Sequence, residues 1–170
     1  VRSSAASDVY KRQDEETLYE LCLAALMHDI GKTKIDPAII NKLARLTMAE
    51  YRLVQEHARY SYDILDQNWL MPARTKQGVL HHHENEDGTG YPDRLVGDEI
   101  PPYAKIIHVA DVYDALTSKR PYKKPYALSE AIEYLMGGSN VLFDRKAVEA
   151  FLEAVPVYAK GIEVTMTNGE

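Results

Sequence analysis

The chain has 170 residues, 45% of them hydrophobic, with 20 Lys and Arg against 26 Asp and Glu and a net charge of −6. That length suits one domain around one core, and the acidic balance argues against a surface that coats DNA, where a basic excess is expected. The longest apolar run, Leu21 to Met27, is too short to span a bilayer, no signal-peptide pattern opens the chain, and a lone cysteine rules out an internal disulfide, so a cytoplasmic location without membrane contact is expected.

Residues 1–13, VRSSAASDVYKRQ, lack apolar periodicity and resemble a translated cloning leader, which leaves 14–170 as the expected native domain. Leu18, Leu21, Cys22, Ala25 and Leu26 recur at helical spacing and predict a helix with that face buried, Cys22 included, stopping at Gly31. Thr47 and Glu50 form a capping box that starts a helix with Val54, Ala58, Ser61 and Leu65 on its core stripe and His57 beside it. Pro72 precedes a short helix running into His81-His82-His83.

Pro101 and Pro102 open the next helix, since proline is tolerated in a first turn. Its core stripe is predicted as Ile106, Val109, Tyr113 and Leu116, with Ala104, Ile107 or His108, and Asp111 on a second face. A helix from Ser129 to Met136 ends at Gly137-Gly138, and Asp144 caps a last helix carrying Val148, Phe151, Leu152 and Val155. The β-prone residues 162–165 followed by a turn-like end predict a hairpin lacking its second strand. The expected fold is all-α, a helical bundle with a short C-terminal β-hairpin remnant.

His28 and Asp29, His57, His82, His83 and Asp111 supply imidazole and carboxylate groups from separate segments, with no thiolate among them. Such a set describes a catalytic metal centre better than a structural zinc site, and it favours Fe, Mn or Zn over Mg or Ca. Adjacent helical residues point about 100° apart, so His28 can face one ion while the two oxygens of Asp29 bridge to a second. By the same rule His81 and His83 lie about 200° apart, and all three of 81–83 cannot reach one site. His108 reads as a core or surface histidine. Most of Lys32, Arg94, Arg120, Lys123 and Lys124, near the candidate site in sequence, are expected on a solvated face.

His28-Asp29-Ile30-Gly31-Lys32, Glu56-His57, His82-His83-Glu84 with Asp87-Gly88-Thr89-Gly90-Tyr91-Pro92, and Asp111 through Asp114-Ala115-Leu116-Thr117 to Arg120-Pro121-Tyr122 resemble the HD-GYP domain. That group is the cyclic di-GMP phosphodiesterase branch of the HD metal-dependent phosphohydrolases, and the likeness runs from about residue 18 to 168. It implies metal ligands His28, Asp29, His57, His82, His83 and Asp111, holding two or three divalent ions, Fe or Mn. It also implies Lys32 near the scissile phosphate, Tyr91 in the turn shaping the substrate pocket, and Arg120 on a guanine edge or a phosphate. Glu84 and Asp87 are expected to hold the turn, and His81 to face solvent or support the ligands.

Two departures stand out. The family's upstream histidine has no counterpart before His28, so one ligand and one packing helix are expected to be missing. Ser61 replaces a common glycine, a change a helix interior tolerates.

The implied reaction is attack on phosphorus by an activated water, with Asp29 bridging two metals and Lys32 neutralising phosphoryl charge. The implied product is a linear dinucleotide, open to a second cut to GMP. Competing expectations are an HD phosphohydrolase of another nucleotide and a catalytically impaired nucleotide-binding or interaction module. The resemblance further implies a regulatory domain upstream in a longer parent and is compatible with a homodimer.

Overall fold

A computed structural model describes residues 2–119 and 124–155, with side chains described from Glu15 onward. It is helical: α1 (Arg2–Met27), α2 (Pro37–Ile40), α3 (Met48–Gln55), α4 (His57–Asp66), α5 (Ala73–His81), α6 (Pro102–Thr117), α7 (Leu128–Gly137) and α8 (Arg145–Ala154). Single 3-10 turns occupy Ile30–Lys34 and Gly97–Glu99. Strand-like pairing among the described residues is confined to isolated bridges, Asp87 with Val96 and Ser139 with Phe143. The fold class is all-α. The hairpin expected at 162–165 lies outside the described residues, as does Arg120.

The helix starts follow local chemistry. The Thr47 hydroxyl accepts from Glu50 N at 3.2 Å while the Glu50 carboxylate accepts from Thr47 N at 2.7 Å, which completes the capping box. Pro102 occupies the first turn of α6, and the Asp144 carboxylate accepts from Ala147 N at 2.8 Å to cap α8.

α6 runs between two apolar clusters. On one side Ile107 meets Ala24 of α1, Leu65 of α4 and Val79 of α5. On the other, Val109 packs with Leu135 of α7, Phe143, and Ala147 and Val148 of α8. α5 approaches α6 so closely that a Cβ at Gly78 would sit 2.8 Å from the Cβ of Tyr103, so this mid-helix glycine sets the helix spacing. The buried Thr75 hydroxyl donates to the Glu20 carbonyl at 3.1 Å and ties α5 to α1. Among the described residues no helix is long and apolar enough to cross a membrane.

Several expectations about buried faces need correction. α1 turns Ala24 inward with Leu21 and Met27, and leaves Leu18, Cys22, Ala25 and Leu26 exposed. His28 explains the choice, because residues four and seven before it share its face and follow it toward the site. Cys22 is therefore an exposed thiol and not a buried one. Ile106 is likewise exposed, and α6 buries Tyr103, Ala104, Ile107, His108 and Val109 because neighbours flank it on two sides. The single helix expected from Thr47 is two, meeting at Glu56, although Ala58, Ser61 and Leu65 remain buried.

Candidate metal centre

Helix ends bring the predicted ligands together. His28 and Asp29 follow directly on α1, His57 stands between the end of α3 and the body of α4, and His82 and His83 follow α5. Asp111 projects from the middle of α6. His82 and His83 lie past the helix end and not on it, so the 200° restriction does not govern how this run spreads.

Each of three imidazoles is fixed by the carbonyl three residues before it. His28 Nδ1 lies 2.7 Å from the Ala25 oxygen, His57 Nδ1 2.6 Å from that of Val54, and His82 Nδ1 2.6 Å from that of Val79. These carbonyls belong to the last turns of α1, α3 and α5, where no amide within the helix is left to bond them. A carbonyl only accepts, so each Nδ1 carries the proton, and a neutral ring then presents Nε2 as a bare lone pair. The negative ends of three helix dipoles also favour a cation at this point.

The Nε2 atoms converge. His57 Nε2 is 3.3 Å from His82 Nε2 and 3.2 Å from His83 Nε2. Two groups of ligand atoms result, His57 with His82 and His83, and His28 with Asp29 and His82, sharing His82. Asp29 lies between them, its Oδ1 3.3 Å from His57 Nε2 and its Oδ2 3.4 Å from His28 Nε2. Asp111 Oδ1 reaches to 3.7 Å from His28 Nε2. Lys32 Nζ holds Asp29 Oδ2 at 2.5 Å.

The donors fit divalent metal. His28 Nε2 and Asp29 Oδ1 are buried with no hydrogen-bond partner among the described residues, a costly arrangement unless a cation satisfies them. The lone pairs of His57 and His82 face each other at 3.3 Å and repel unless a cation lies between them. Mixed imidazole and carboxylate donors match a transition metal better than an all-oxygen cation.

Electrostatics agree. Burial pushes His82 down to about 3, and burial together with the neighbouring imidazoles lowers His83, so both rings stay neutral and ready to ligate. Burial alone would lower His28, but the Asp111 and Asp29 carboxylates outweigh it and raise it to about 10. Burial would raise Asp29, yet His28 and Lys32 prevail and hold its carboxyl well below the usual range.

Around this centre the glycine-rich turn is held as expected. The Glu84 carboxylate, almost fully buried, accepts from the backbone N–H of Asp93 at 2.7 Å, Arg94 at 3.0 Å and Leu95 at 3.2 Å. Asp87 accepts from Thr89 N and its hydroxyl. The turn so fixed lays the Tyr91 ring on His83, with centroids 4.7 Å apart.

His81 is buried, not solvent-facing; its Nε2 lies 3.0 Å from the Asp93 carboxylate, which supports the turn from behind. His108 is also buried, its Nδ1 2.9 Å from the His82 carbonyl, so it steadies the ligand backbone.

One residue has a larger part than its sequence context suggests. Ser61, fully buried, donates from its hydroxyl to the His28 carbonyl at 2.8 Å and accepts from Gly31 N at 2.7 Å. It pins the turn that carries His28 and Asp29 onto α4. A hydroxyl on an otherwise apolar stripe is the signal that could have revealed it. Gly31 presses against the same helix, and a Cβ there would collide with the His57 carbonyl and Ser61 N.

Comparison with known proteins bears on this geometry. Residues 5–147 match the family model described as HD domain. The chain belongs to the HD domain family. It is 41% identical over 140 residues to the cyclic di-GMP phosphodiesterase response regulator RpfG of Xanthomonas campestris pv. campestris, covering 81% of this chain and 37% of that protein. It is 41% identical over 150 residues to cyclic di-GMP phosphodiesterase PA4108 of Pseudomonas aeruginosa, covering 88% and 36%. A 3'3'-cGAMP-specific phosphodiesterase 2 of Vibrio cholerae is 40% identical over 132 residues, covering 76% and 25%. The chain thus spans from a quarter to little more than a third of these relatives. A crystal structure of a cyclic GMP-AMP specific phosphodiesterase of V. cholerae shares the fold, with a TM-score of 0.59 at 21% identity over 81% of this HD domain chain and 38% of that one.

Proposed function

We propose that this HD domain is a metal-dependent phosphodiesterase that opens cyclic di-GMP to the linear dinucleotide. The observation that carries the reading is the convergence of three imidazole Nε2 atoms, with the Nδ1 of His57 and His82 each held by a carbonyl, beside a carboxylate whose two oxygens face different ligand groups. Relatives named as cyclic di-GMP phosphodiesterases supply the substrate class. A cyclic dinucleotide substrate favours a cytoplasmic site for the reaction.

His57 and His83 would hold one ion and His28 and Asp111 a second, with His82 and Asp29 between them; Fe or Mn suits that donor set. Ions bound there would acidify a water and polarise the phosphoryl oxygens. The chain's own residues do the rest. Carbonyls of α1, α3 and α5 hold the imidazoles in the ligating tautomer. Lys32, partly exposed at the edge of the cluster, offers an ammonium to a phosphoryl oxygen as charge builds there. Tyr91 walls one side and orients the nucleotide. Arg120, by its place in the Arg-Pro-Tyr motif, is assigned to a guanine edge or the second phosphate.

The test is hydrolysis by protein purified without oxygen and loaded with Fe or Mn, using cyclic di-GMP, 3'3'-cGAMP and a nucleoside monophosphate. Release of the linear dinucleotide from cyclic di-GMP is expected. Metal-loaded protein that dephosphorylates the monophosphate and leaves both cyclic dinucleotides intact would overturn the reading.

A further inference from the structure

Beside the histidine cluster lies a cavity of about 440 Å³, between the α3–α4 junction and the glycine-rich turn. Glu56, Arg59, Thr89, Tyr91 and Arg94 are among its lining residues. Tyr91 is common to cavity and cluster, since the ring that lines the one stacks on His83 of the other. A nucleotide whose phosphate lies at the cluster therefore has this cavity one aromatic ring away.

The lining holds opposite charges that do not neutralise each other. Arg59 is engaged by Asp93 at 2.9 Å. Arg94 has no carboxylate within ion-pair distance, and Glu56 no cation, among the described residues. Arg94 also keeps its place at φ 58, a left-handed conformation that glycine adopts freely and a long side chain does not. Glu84 imposes that conformation by accepting from the Arg94 N–H at 3.0 Å. Arg94 and Glu56 are both exposed, so their charges are solvated and open to a ligand that enters the cavity beside the chemistry.

The pairing of charges selects which ligand. A phosphate alone would meet repulsion from Glu56. A guanine base offers O6 and N7 as acceptors on one edge and N1–H and the N2 amino group as donors on another. An arginine fork matches the first and a carboxylate the second. Adenine keeps the N7 acceptor but places an amino group where the fork needs its second acceptor.

We propose that this cavity receives a guanine base, with Arg94 and Glu56 as the residues that select guanine over adenine. The inference deepens the phosphodiesterase reading and rests on it for the position of the phosphate.

The experiment measures calorimetric binding of GMP and AMP to the Mn-loaded protein, wild type and two variants, Arg94→Gly and Glu56→Gln. GMP should bind wild type at least about tenfold more tightly than AMP. Arg94→Gly should abolish most of that preference while its Tm stays at or above wild type, because glycine relieves the left-handed backbone. Glu56→Gln should reduce the preference too. Equal affinity for GMP and AMP in wild type would overturn the proposal, as would a preference that survives Arg94→Gly. Equal weakening of both nucleotides by Arg94→Gly would also overturn it, marking a phosphate contact. A GMP preference in protein that leaves cyclic di-GMP uncut would sink the phosphodiesterase reading and leave the base pocket standing.

Discussion

The clustered histidines are ordinary in sequence and are brought together by what holds their far sides. Ser61 is the clearest case. Replacing it with alanine strands the His28 carbonyl and the Gly31 N–H in a buried place, which should cost about 1–3 kcal/mol. Because both groups flank Asp29, metal affinity should fall with stability. Urea unfolding and a metal titration of Ser61→Ala would check both. Gly31→Ala should be harsher, about 3 kcal/mol, since the new Cβ meets backbone that cannot swing aside. Thermal unfolding of that variant would show it, and a Tm equal to wild type would contradict the packing described.

At the scale of elements, the caps are separable from the centre. Thr47→Ala removes one half of the capping box of α3 and should cost about 1 kcal/mol, or about 2–4 °C in Tm for a chain of this size. Metal content should not change, which metal analysis of the purified variant would verify. The same scale shows what the sequence disclosed and what it hid. Thr47, Pro102 and Asp144 were legible as helix starts because capping is local chemistry. That His28, Asp29, His57, His82, His83 and Asp111 would cluster was legible because imidazoles and carboxylates recur beside glycine turns.

The buried face of α1 was not legible. That helix carries more apolar residues than one stripe can bury, and only the tertiary position of His28 decides between Leu18 and Ala24. Ile106 was misplaced for a related reason, since α6 is flanked on two sides and periodicity alone does not say which. The break at Glu56 was hidden as well. At it the Val54 carbonyl meets an imidazole, and nothing in the spacing of apolar residues reports that.

The whole molecule couples the centre to stability through protons. His82, lowered to about 3, and His57 and His83, also lowered, refuse protons that the unfolded chain takes up near 6.5. Stability from these groups is complete above that pH and is lost as pH falls toward 3. His28 runs the other way. Raised to about 10, it contributes stability fully present below 6.5 and lost as pH climbs toward 10. Metal-free protein should therefore unfold at its highest temperature near pH 6.5. Loading Mn should move that maximum to higher pH, because ligation requires His28 to give up its proton. Thermal scans from pH 5 to 9, roughly spanning both limbs, would show the shift or its absence.

In the proposed reading His28, Asp29, His57, His82, His83 and Asp111 form one metal centre. Metal content per chain, measured on wild type and Asp29→Ala purified side by side without oxygen, tests it most directly. Bound Fe or Mn is expected in the wild type and its loss in the variant, because Asp29 faces both ligand groups. Equal metal in the two proteins would contradict it.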